Sequence, residues 1–282
     1  KDNVPLKVKK HLTISLDGII ILSGSDVMSD WNSAQYLKFE SQRTKPSADL
    51  ISRISDLEPK TVADLGCGPG NSTTLLAKSF KDARIIGLDS SDDMLAKAKS
   101  SYPELEFSKC LLPDGLGKFE QSFDLIFSNA CIHWIKEQRT PLDAVYEKLS
   151  AGGVFAVQLP LTERADFYRL LGSLTADGKW KKLSQVRNFH ALSPEEYYDE
   201  LSARFESFDI WETVYYHTVE SAAGVLEWYK GSGLRPYLDL LSKTEREDFL
   251  CDLLSLTDEN FKVRQNGKII LKMPRLFFTA TK

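Results

Sequence analysis

A glycine-rich turn at residues 66–70 constrains the fold of this chain more than any other feature. The apolar run 61–65 leads directly into the turn, where every second residue is glycine, and a helical pattern follows at 72–80. Glycine permits a sharp turn and the close approach of a ligand because it has no Cβ. Turns that bind the pyrophosphate of a dinucleotide carry glycine where this chain has Asn71. The pattern therefore predicts a strand, a ligand-binding turn and a helix, for a ligand that lacks phosphate.

Short apolar segments continue to alternate with helical patterns as far as residue 160. Further strands are predicted at 84–88, 123–128 and 154–159, and further helices at 91–100 and 142–149. This alternation is typical of a parallel, doubly wound sheet with helices on both faces. Beyond residue 160 it loosens. The segments 161–200 and 221–272 are predicted to be helical insertions that form a lid, and 208–219 and 275–281 to be strands.

A carboxylate follows the glycine turn at a spacing that suits a nucleoside. Asp89 ends the predicted second strand, 19 residues after Gly70. A carboxylate at that position can accept hydrogen bonds from both ribose hydroxyls, an arrangement that also fits NAD. Asp64, just before the turn, is the third member of the pattern. Together these residues predict a nucleoside-binding site at one edge of the sheet.

The composition excludes several classes of function. The chain has 36 Lys and Arg against 40 Asp and Glu, a net charge of −4, which disfavours nucleic acid or an anionic membrane surface as a partner. Its four cysteines are scattered, so no metal site or disulfide framework is predicted, and reduced thiols favour the cytoplasm. No segment approaches the roughly 18 apolar residues of a membrane span. Residues 1–27 are predicted to be an N-terminal extension, and 28–282 the folded domain.

The residues 64–70 read Asp-Leu-Gly-Cys-Gly-Pro-Gly, and with this motif the chain resembles the class I S-adenosylmethionine-dependent methyltransferases. The resemblance implies an α/β fold with a Rossmann-like, seven-stranded, mostly parallel sheet whose last strand is antiparallel. The segments 208–219 and 275–281 would supply the last two strands. The implied cofactor is S-adenosyl-L-methionine.

The resemblance also implies roles for individual residues in binding the cofactor. Around the methionine part would lie Asp64, Gly66, Gly68 and Gly70. Asp89 would bind the ribose, Ser90 and Met94 would border the adenine, and Asn129 would contact the cofactor after the fourth strand. Many members carry an acidic residue after the third strand to bind the adenine amino group, where this chain has Cys110-Leu111-Leu112. Asp114 or a backbone carbonyl is the alternative contact.

A second group of residues precedes the sheet, in a segment that can fold over the cofactor. Arg43 is a candidate partner for the methionine carboxylate. Tyr36 is a candidate to close the site beside the reacting methyl group.

The resemblance narrows further over residues 28–282. The blocks that carry it include Met28-Ser29-Asp30-Trp31-Asn32, Asp209-Ile210-Trp211, Gly233-Leu234-Arg235-Pro236 and Pro274-Arg275-Leu276-Phe277. With them the chain is similar to the trans-aconitate 2-methyltransferase family. This implies the transfer of a methyl group to a carboxyl oxygen of a small polycarboxylic acid, most specifically trans-aconitate. One departure is the segment 159–163, which lacks the Asp-Asn-Trp of that family.

A polycarboxylate requires cationic and hydroxyl donors around it. Arg235 and Arg275 are the candidate cations, because a guanidinium grips a carboxylate with two parallel hydrogen bonds. The other candidates for binding the substrate are Gln158, Tyr215, Tyr216 and His217. Tyr215 and Tyr216 alternate on a predicted strand, so only one of them can face the site. A carboxylate is already ionised at neutral pH, so no catalytic acid, base or nucleophile is predicted.

Two alternative functions remain at this stage. One is methyl transfer to another small acid or to a malonyl thioester. The other is a protein that binds S-adenosylmethionine without turnover, which the missing acid after the third strand motivates. The sequence makes no prediction of oligomeric state.

Overall fold

The structure is a computed structural model that describes residues 40–186, 189–230 and 233–282, with side chains from residue 44 onward. The predicted extension at 1–27 and the predicted site residue Tyr36 lie outside this part of the chain. Arg43 lies in a described helix, but its side chain is not described.

A mixed sheet forms the centre of the described part of the chain. Its strands lie in the order β3-β2-β1-β4-β5-β7-β6. The strands are β1 (Thr61–Leu65), β2 (Arg84–Asp89), β3 (Glu106–Lys109), β4 (Phe123–Asn129), β5 (Leu149–Pro160), β6 (Ser207–Val219) and β7 (Ile269–Thr281). The pairs from β3 through β5 are parallel, and β7 runs antiparallel to both of its neighbours. The predicted seven-stranded, mostly parallel sheet is confirmed.

Helices cover both faces of the sheet. They are α1 (Glu40–Arg53), α2 (Asn71–Ser79), α3 (Asp92–Ser101), α4 (Arg139–Lys148), α5 (Asp166–Ala176), α6 (Pro194–Ser202), α7 (Ala222–Lys230), α8 (Arg235–Asp239) and α9 (Lys243–Asn260). Helices α5 and α6 lie between β5 and β6, and α7 to α9 lie between β6 and β7. None of the helices in the described ranges is both long and apolar enough to cross a membrane.

The alternation of side chains along the strands divides the core into two layers. On one face, Val62 and Leu125 pack with Leu50 of α1 and Leu76 of α2. On the other face, Ala63 of β1 packs with residues that include Leu142 and Val145 of α4 and Leu201 of α6. Because both faces of β1 and β4 are buried, these strands are apolar throughout and were predictable as short apolar runs.

Two strands differ from the prediction. Strand β3 was given no bounds, because its four residues include only one buried side chain and carry no apolar run. Strand β7 begins at Ile269 rather than at residue 275, so the last helical segment ends earlier than predicted, with α9. Residues 269–274 extend past the end of β5 and pair with β6, and Ile269 also forms an isolated bridge with Val263. Their strand conformation therefore depends mainly on an antiparallel partner, β6, that lies about 50 to 60 residues earlier in the sequence.

The sheet order places a crevice at the carboxyl ends of β1 and β4. The chain moves from β1 outward to β2 and β3, and then returns to the other side of β1 to form β4. Ligands of open α/β sheets bind at such a switch point, beyond the carboxyl ends of the strands. The predicted nucleoside site lies at this edge.

Candidate active site

The glycine turn is fixed to the neighbouring strand by backbone hydrogen bonds. The amides of Gly66 and Cys67 both donate to the carbonyl of Leu88, at 2.7 and 3.0 Å. Gly66, Gly68 and Gly70 all have positive φ, at 66°, 55° and 94°. These are backbone conformations that side chains with a Cβ adopt at a cost. The turn therefore depends on all three glycines to pass from β1 into α2.

The surroundings of the three glycines show which of them are needed for packing and which one leaves space for a ligand. A Cβ on Gly66 would lie 2.4 Å from Cys131 Sγ, and one on Gly70 would lie 2.8 Å from the Tyr102 ring. A Cβ on Gly68 would meet no protein atom within 4 Å. Gly66 and Gly70 are thus required by close packing within the protein. The turn is open at Gly68, which leaves space for a ligand to approach the backbone.

Asp89 connects the ends of two strands through its carboxylate. Its Oδ2 accepts a hydrogen bond from the Gly68 amide at 2.9 Å, and its Oδ1 accepts one from the Ser91 amide at 2.8 Å. A carboxylate oxygen offers two lone pairs, so each oxygen keeps one for a further donor. The half-buried Asp89 is therefore held in one orientation and retains the capacity to accept two hydroxyls.

Asp64 is fully buried at the end of β1. Its Oδ2 accepts hydrogen bonds from the hydroxyls of Ser72 and Thr73, both at 2.7 Å, which ties β1 to the first turn of α2. Its Oδ1 has no hydrogen-bond partner among the described residues. Burial raises the pKa of Asp64 to about 7, although the two hydroxyls oppose this shift.

The predicted adenine side of the site is formed by β2, β3 and α3. Met94 is buried in the first turn of α3, and Ser90 is exposed between β2 and that helix. The chain after β3 is joined to this region by the Cys110 amide, which donates to the Asp89 carbonyl at 2.8 Å. Leu111 then exposes 71% of its surface, and Asp114 is also exposed.

The end of β4 turns sharply beside the glycine turn. Ala130 has a φ of 54°, the one non-glycine residue with positive φ in the described part of the chain. Its amide donates to the Gln158 carbonyl at 2.8 Å. Backbone strain of this kind is concentrated at functional sites. Asn129, just before it, has a buried side-chain Oδ1 without a hydrogen-bond partner among the described residues.

A cavity of about 120 Å³ lies next to Asn129 at the same edge of the sheet. Its polar lining includes Asn129, His133, Gln158 and Arg275. His133 Nδ1 and Gln158 Nε2 are buried and have no hydrogen-bond partner among the described residues. Buried polar atoms of native proteins almost always have partners, so these atoms indicate polar groups of a ligand.

Aromatic rings form much of the cavity wall. They are His133, Trp134, Tyr168, Phe189, Trp228 and Tyr229. The His133 ring stacks on Phe189 with centroids 5.3 Å apart and contacts Trp134 at 5.1 Å. Burial lowers the pKa of His133, and the positive charge of Arg275 acts in the same direction, so that together they bring it to about 3. His133 is therefore neutral at physiological pH.

The structure brings two of the residues predicted for substrate binding to this cavity, Gln158 and Arg275. Gln158 faces β4, in register with Asn129, and Arg275 pairs with Pro160 at the end of β5. Both positions depend on strand register, which places residues distant in sequence side by side.

The other predicted substrate residues do not line the cavity. Tyr215 is buried, and its hydroxyl donates to Asp49 Oδ2 at 2.6 Å. His217 is also buried and stacks on Trp228 at 4.8 Å. Tyr216, on the opposite face of β6, exposes 66% of its surface to solvent. Arg235 belongs to α8, where its Nε lies 3.6 Å from Asp239 Oδ2.

Several lining residues were not predicted from the sequence as site residues. Tyr168, Phe189 and Tyr229 belong to the helical region after β5 and to α7, where aromatic residues are common in a core. His133 could have been predicted from its position shortly after β4, because residues that follow the carboxyl ends of parallel strands lie at the edge where ligands bind. In the described ranges, no group of three His, Cys, Asp or Glu side chains is placed to hold a metal ion.

Comparison with known proteins gives relatives of this chain along almost its whole length. Residues 62–153 match the family model described as a methyltransferase domain. A protein of Afipia carboxidovorans named trans-aconitate 2-methyltransferase is 38% identical over 90% of this chain and 100% of its own length. A protein of Yersinia pestis with the same name is 35% identical, over 90% and 98% of the two chains.

Solved structures share the fold at low sequence identity. The YcgJ protein of Bacillus subtilis has a TM-score of 0.54 and 17% identity, over 84% of this chain and 98% of that one. A phosphoethanolamine N-methyltransferase 2 of Haemonchus contortus in complex with S-adenosyl-L-methionine has a TM-score of 0.50 and 17% identity, over 84% and 52%. Both show the same architecture as this chain.

Proposed function

The chain belongs to the trans-aconitate 2-methyltransferase family, and from this premise we propose that it transfers a methyl group from S-adenosyl-L-methionine to a carboxyl oxygen of trans-aconitate. The observation that carries the proposal is the position of the cavity. It lies beside Asn129 and Ala130, and the next residue, Cys131, packs against Gly66 of the glycine turn. Arg275 lines the cavity, as do two buried groups, on Gln158 and His133, that have no hydrogen-bond partner among the described residues.

The residues of the glycine turn fit the cofactor. The space beside Gly68 admits a ligand to the backbone, and the two oxygens of Asp89 are oriented to accept the ribose hydroxyls. Asp64 Oδ1 and Asn129 Oδ1 are buried acceptors that have no hydrogen-bond partner among the described residues. Ser90 and Met94 would border the adenine. Tyr36 and Arg43 remain predictions from the sequence.

The acceptor cavity suits a small acid. Arg275 supplies a positive charge, and Gln158 Nε2 supplies a donor for a carboxylate oxygen. The aromatic rings exclude water from the rest of the cavity, which strengthens these interactions. The protein thus positions an acceptor and shields it.

The chemistry requires no proton transfer. A carboxylate oxygen bonds to the methyl carbon as the carbon–sulfur bond breaks, and the electron pair of that bond stays on the sulfur of the bound S-adenosylmethionine. The acceptor is already ionised at neutral pH, so the contribution of the protein is orientation and exclusion of water. Positioning of this kind lowers a barrier by up to roughly 7–11 kcal/mol. With a pKa of about 3, the buried His133 is a weak base, which is consistent with a reaction that uses no general base.

We also propose that the chain acts in the cytoplasm. All four cysteines are free in the structure, and this arrangement suits a compartment that keeps thiols reduced.

The proposal is tested by incubating the purified full chain with methyl-labelled S-adenosylmethionine and a panel of acids. The panel contains trans-aconitate, other di- and tricarboxylates, and a malonyl thioester. We expect label in a base-labile ester of trans-aconitate, and a loss of transfer in Asp89→Ala. Transfer only to another panel member would assign the chain a different acceptor. Binding of the cofactor without transfer to any acceptor would contradict an enzymatic function.

A further inference from the structure

The charges of the acceptor cavity are distributed unevenly. Among the described lining residues, Arg275 is the only one with a charged side chain. The other polar side chains of the lining, which include Asn129, His133, Gln158 and Thr162, carry no charge at physiological pH. The cavity therefore has a cationic end at Arg275 and a neutral, polar end that includes Asn129, His133 and Gln158.

The order of the strands fixes where these two ends lie relative to the cofactor turn. Asn129 ends β4, the strand next to β1, and Gln158 lies beside it on β5. Arg275 lies on β7, which is three strands from β1. With neighbouring strands about 4.8 Å apart, the backbones of Asn129, Gln158 and Arg275 lie about 5, 10 and 14 Å across the sheet from the turn. The neutral end is the one closer to the cofactor.

His133 is held at the neutral end by its neighbours. The residue directly follows the strained turn after β4, and it exposes only 2% of its surface. Its ring is stacked on Phe189, and its backbone carbonyl accepts the His190 amide at 2.8 Å. In the tautomer with the proton on Nδ1, this buried atom can donate a hydrogen bond into the cavity without bringing a charge.

The two ends suit two different carboxylates. A carboxylate gripped by a guanidinium has both oxygens engaged and its charge compensated, which makes it a poor nucleophile. A carboxylate held by neutral donors retains its charge and keeps a lone pair for the methyl carbon. Two carboxylates at one arginine would leave one charge uncompensated, which is costly in a water-poor cavity, whereas a carboxylate at the neutral end would lie next to the positive sulfonium of the methyl donor.

We infer that Arg275 holds a carboxylate of the acceptor that is not methylated, while His133 and Gln158 orient the carboxylate that receives the methyl group. The inference rests on the proposed function and deepens it, because it assigns two carboxylates of the acceptor to different side chains of the cavity. It also gives His133 a substrate-orienting role.

The test compares the wild-type chain with Arg275→Gln, His133→Phe and His133→Gln. For each protein, kcat and KM for trans-aconitate are measured, the position of the ester in the product is determined by NMR, and the affinity for S-adenosylhomocysteine is measured by calorimetry. Arg235→Gln is the matched control, because this arginine lies outside the cavity lining. An unchanged affinity for S-adenosylhomocysteine shows that a variant is folded.

Arg275→Gln is expected to raise KM by about 10- to 100-fold, the size of a lost charge-assisted hydrogen bond, and to yield a mixture of ester positions. The mixture arises because the acid is no longer anchored at one end. A monocarboxylic acid of the same chain length should be a poor substrate of the wild type, and Arg275→Gln should cause little further loss with it. Arg235→Gln should leave the ester position unchanged.

His133→Phe is expected to lower kcat by about 10- to 100-fold while the product keeps the wild-type ester position. The phenyl ring preserves the stacking and removes only the polar atoms, and His133→Gln should recover most of the rate by restoring a neutral donor. Unchanged ester position and KM in Arg275→Gln, or unchanged kcat in His133→Phe, would overturn the inference while the proposed function stands. A wild-type chain that binds S-adenosylhomocysteine but methylates no small acid would overturn the proposed function, and the inference with it.

Discussion

Asp64 shows how one buried carboxyl group links the site to the pH dependence of the whole fold. It has no exposed surface, and burial raises its pKa from 3.8 to about 7. Between these two values the folded protein holds a proton that the unfolded chain has released. The contribution of Asp64 to the free energy of unfolding is therefore largest below about pH 4 and decreases as the pH rises towards 7.

Asp64→Asn should flatten the pH dependence of stability between about pH 4 and pH 7. In the wild type, the titration of Asp64 lowers the free energy of unfolding by up to about 4 kcal/mol as the pH rises from about 4 to 7. The amide of the variant does not titrate, so this decrease should be absent. Urea unfolding of both cofactor-free proteins across this range measures the difference. Parallel curves for the two proteins would show that Asp64 titrates in the folded state as it does in the unfolded chain.

Asp124→Asn is a control in which the pH dependence of the free energy of unfolding should change in the opposite direction. Although burial opposes its ionisation, hydrogen bonds from the backbone amides of Lys60 and Thr61 and from side-chain hydroxyls hold the pKa of Asp124 below its usual value. Its contribution to stability is present at neutral pH and is lost as the pH falls through the folded-state pKa. In this variant, the difference in stability from the wild type should therefore shrink at acid pH.

At the scale of elements, helix α1 is attached to the long antiparallel strand pair of β6 and β7. Tyr215 donates to Asp49, and Lys45 lies 5.7 Å above the same tyrosine ring. One turn along the helix, Arg53 pairs with Asp209 at 2.6 Å. Pro46 of the same helix lines the acceptor cavity. Through these contacts, which lie outside the cavity, the strand pair holds α1 and therefore one wall of the cavity in place.

Tyr215→Phe should lower the free energy of unfolding by about 1 kcal/mol and raise KM for the acid. The first effect follows from the lost hydrogen bond, and the second from a less firmly held α1. Tyr216→Phe is the matched control on the same strand, since its exposed side chain should leave both quantities unchanged. Urea unfolding and steady-state kinetics of the two variants provide the measurements. Equal effects of both substitutions would show that the hydrogen bond between Tyr215 and Asp49 does not hold α1 in place.

At the scale of the whole molecule, the cofactor site joins the central strands of the sheet. The glycine turn follows β1, Asp89 ends β2, and Asn129 ends β4. These strands are buried on both faces by the two layers of the core. A ligand that binds there only in the folded state stabilises the core as a unit.

S-adenosylhomocysteine at one hundred times its Kd should therefore raise the free energy of unfolding by about 2.7 kcal/mol. Asp89→Ala removes the charge-assisted hydrogen bonds to the ribose, which weakens binding by about 10- to 100-fold. At the same ligand concentration, this variant should gain only about 0.4–1.4 kcal/mol. Urea unfolding with and without ligand measures both gains, and Asp93→Ala, an exposed carboxylate of the same region, should behave as the wild type does. If the ligand stabilised Asp89→Ala as much as the wild type, Asp89 would not be a ligand of the ribose.

The sequence by itself determined the glycine turn, the strands β1, β2 and β4, and the position of Asp89 after β2. These features are encoded locally, because a left-handed turn requires glycine and a strand buried on both faces requires an unbroken apolar run. The local pattern of β6 also placed Tyr215 and Tyr216 on opposite faces.

Only the tertiary structure decided which polar side chains reach the acceptor cavity. Asn129, His133, Gln158 and Arg275 come from three strands and a turn, and they meet because of strand order and register, which no local pattern encodes. For the same reason the sequence did not separate Arg275, in the cavity, from Arg235, outside its lining. An arginine has the same chemistry at both positions, and its surroundings determine its role.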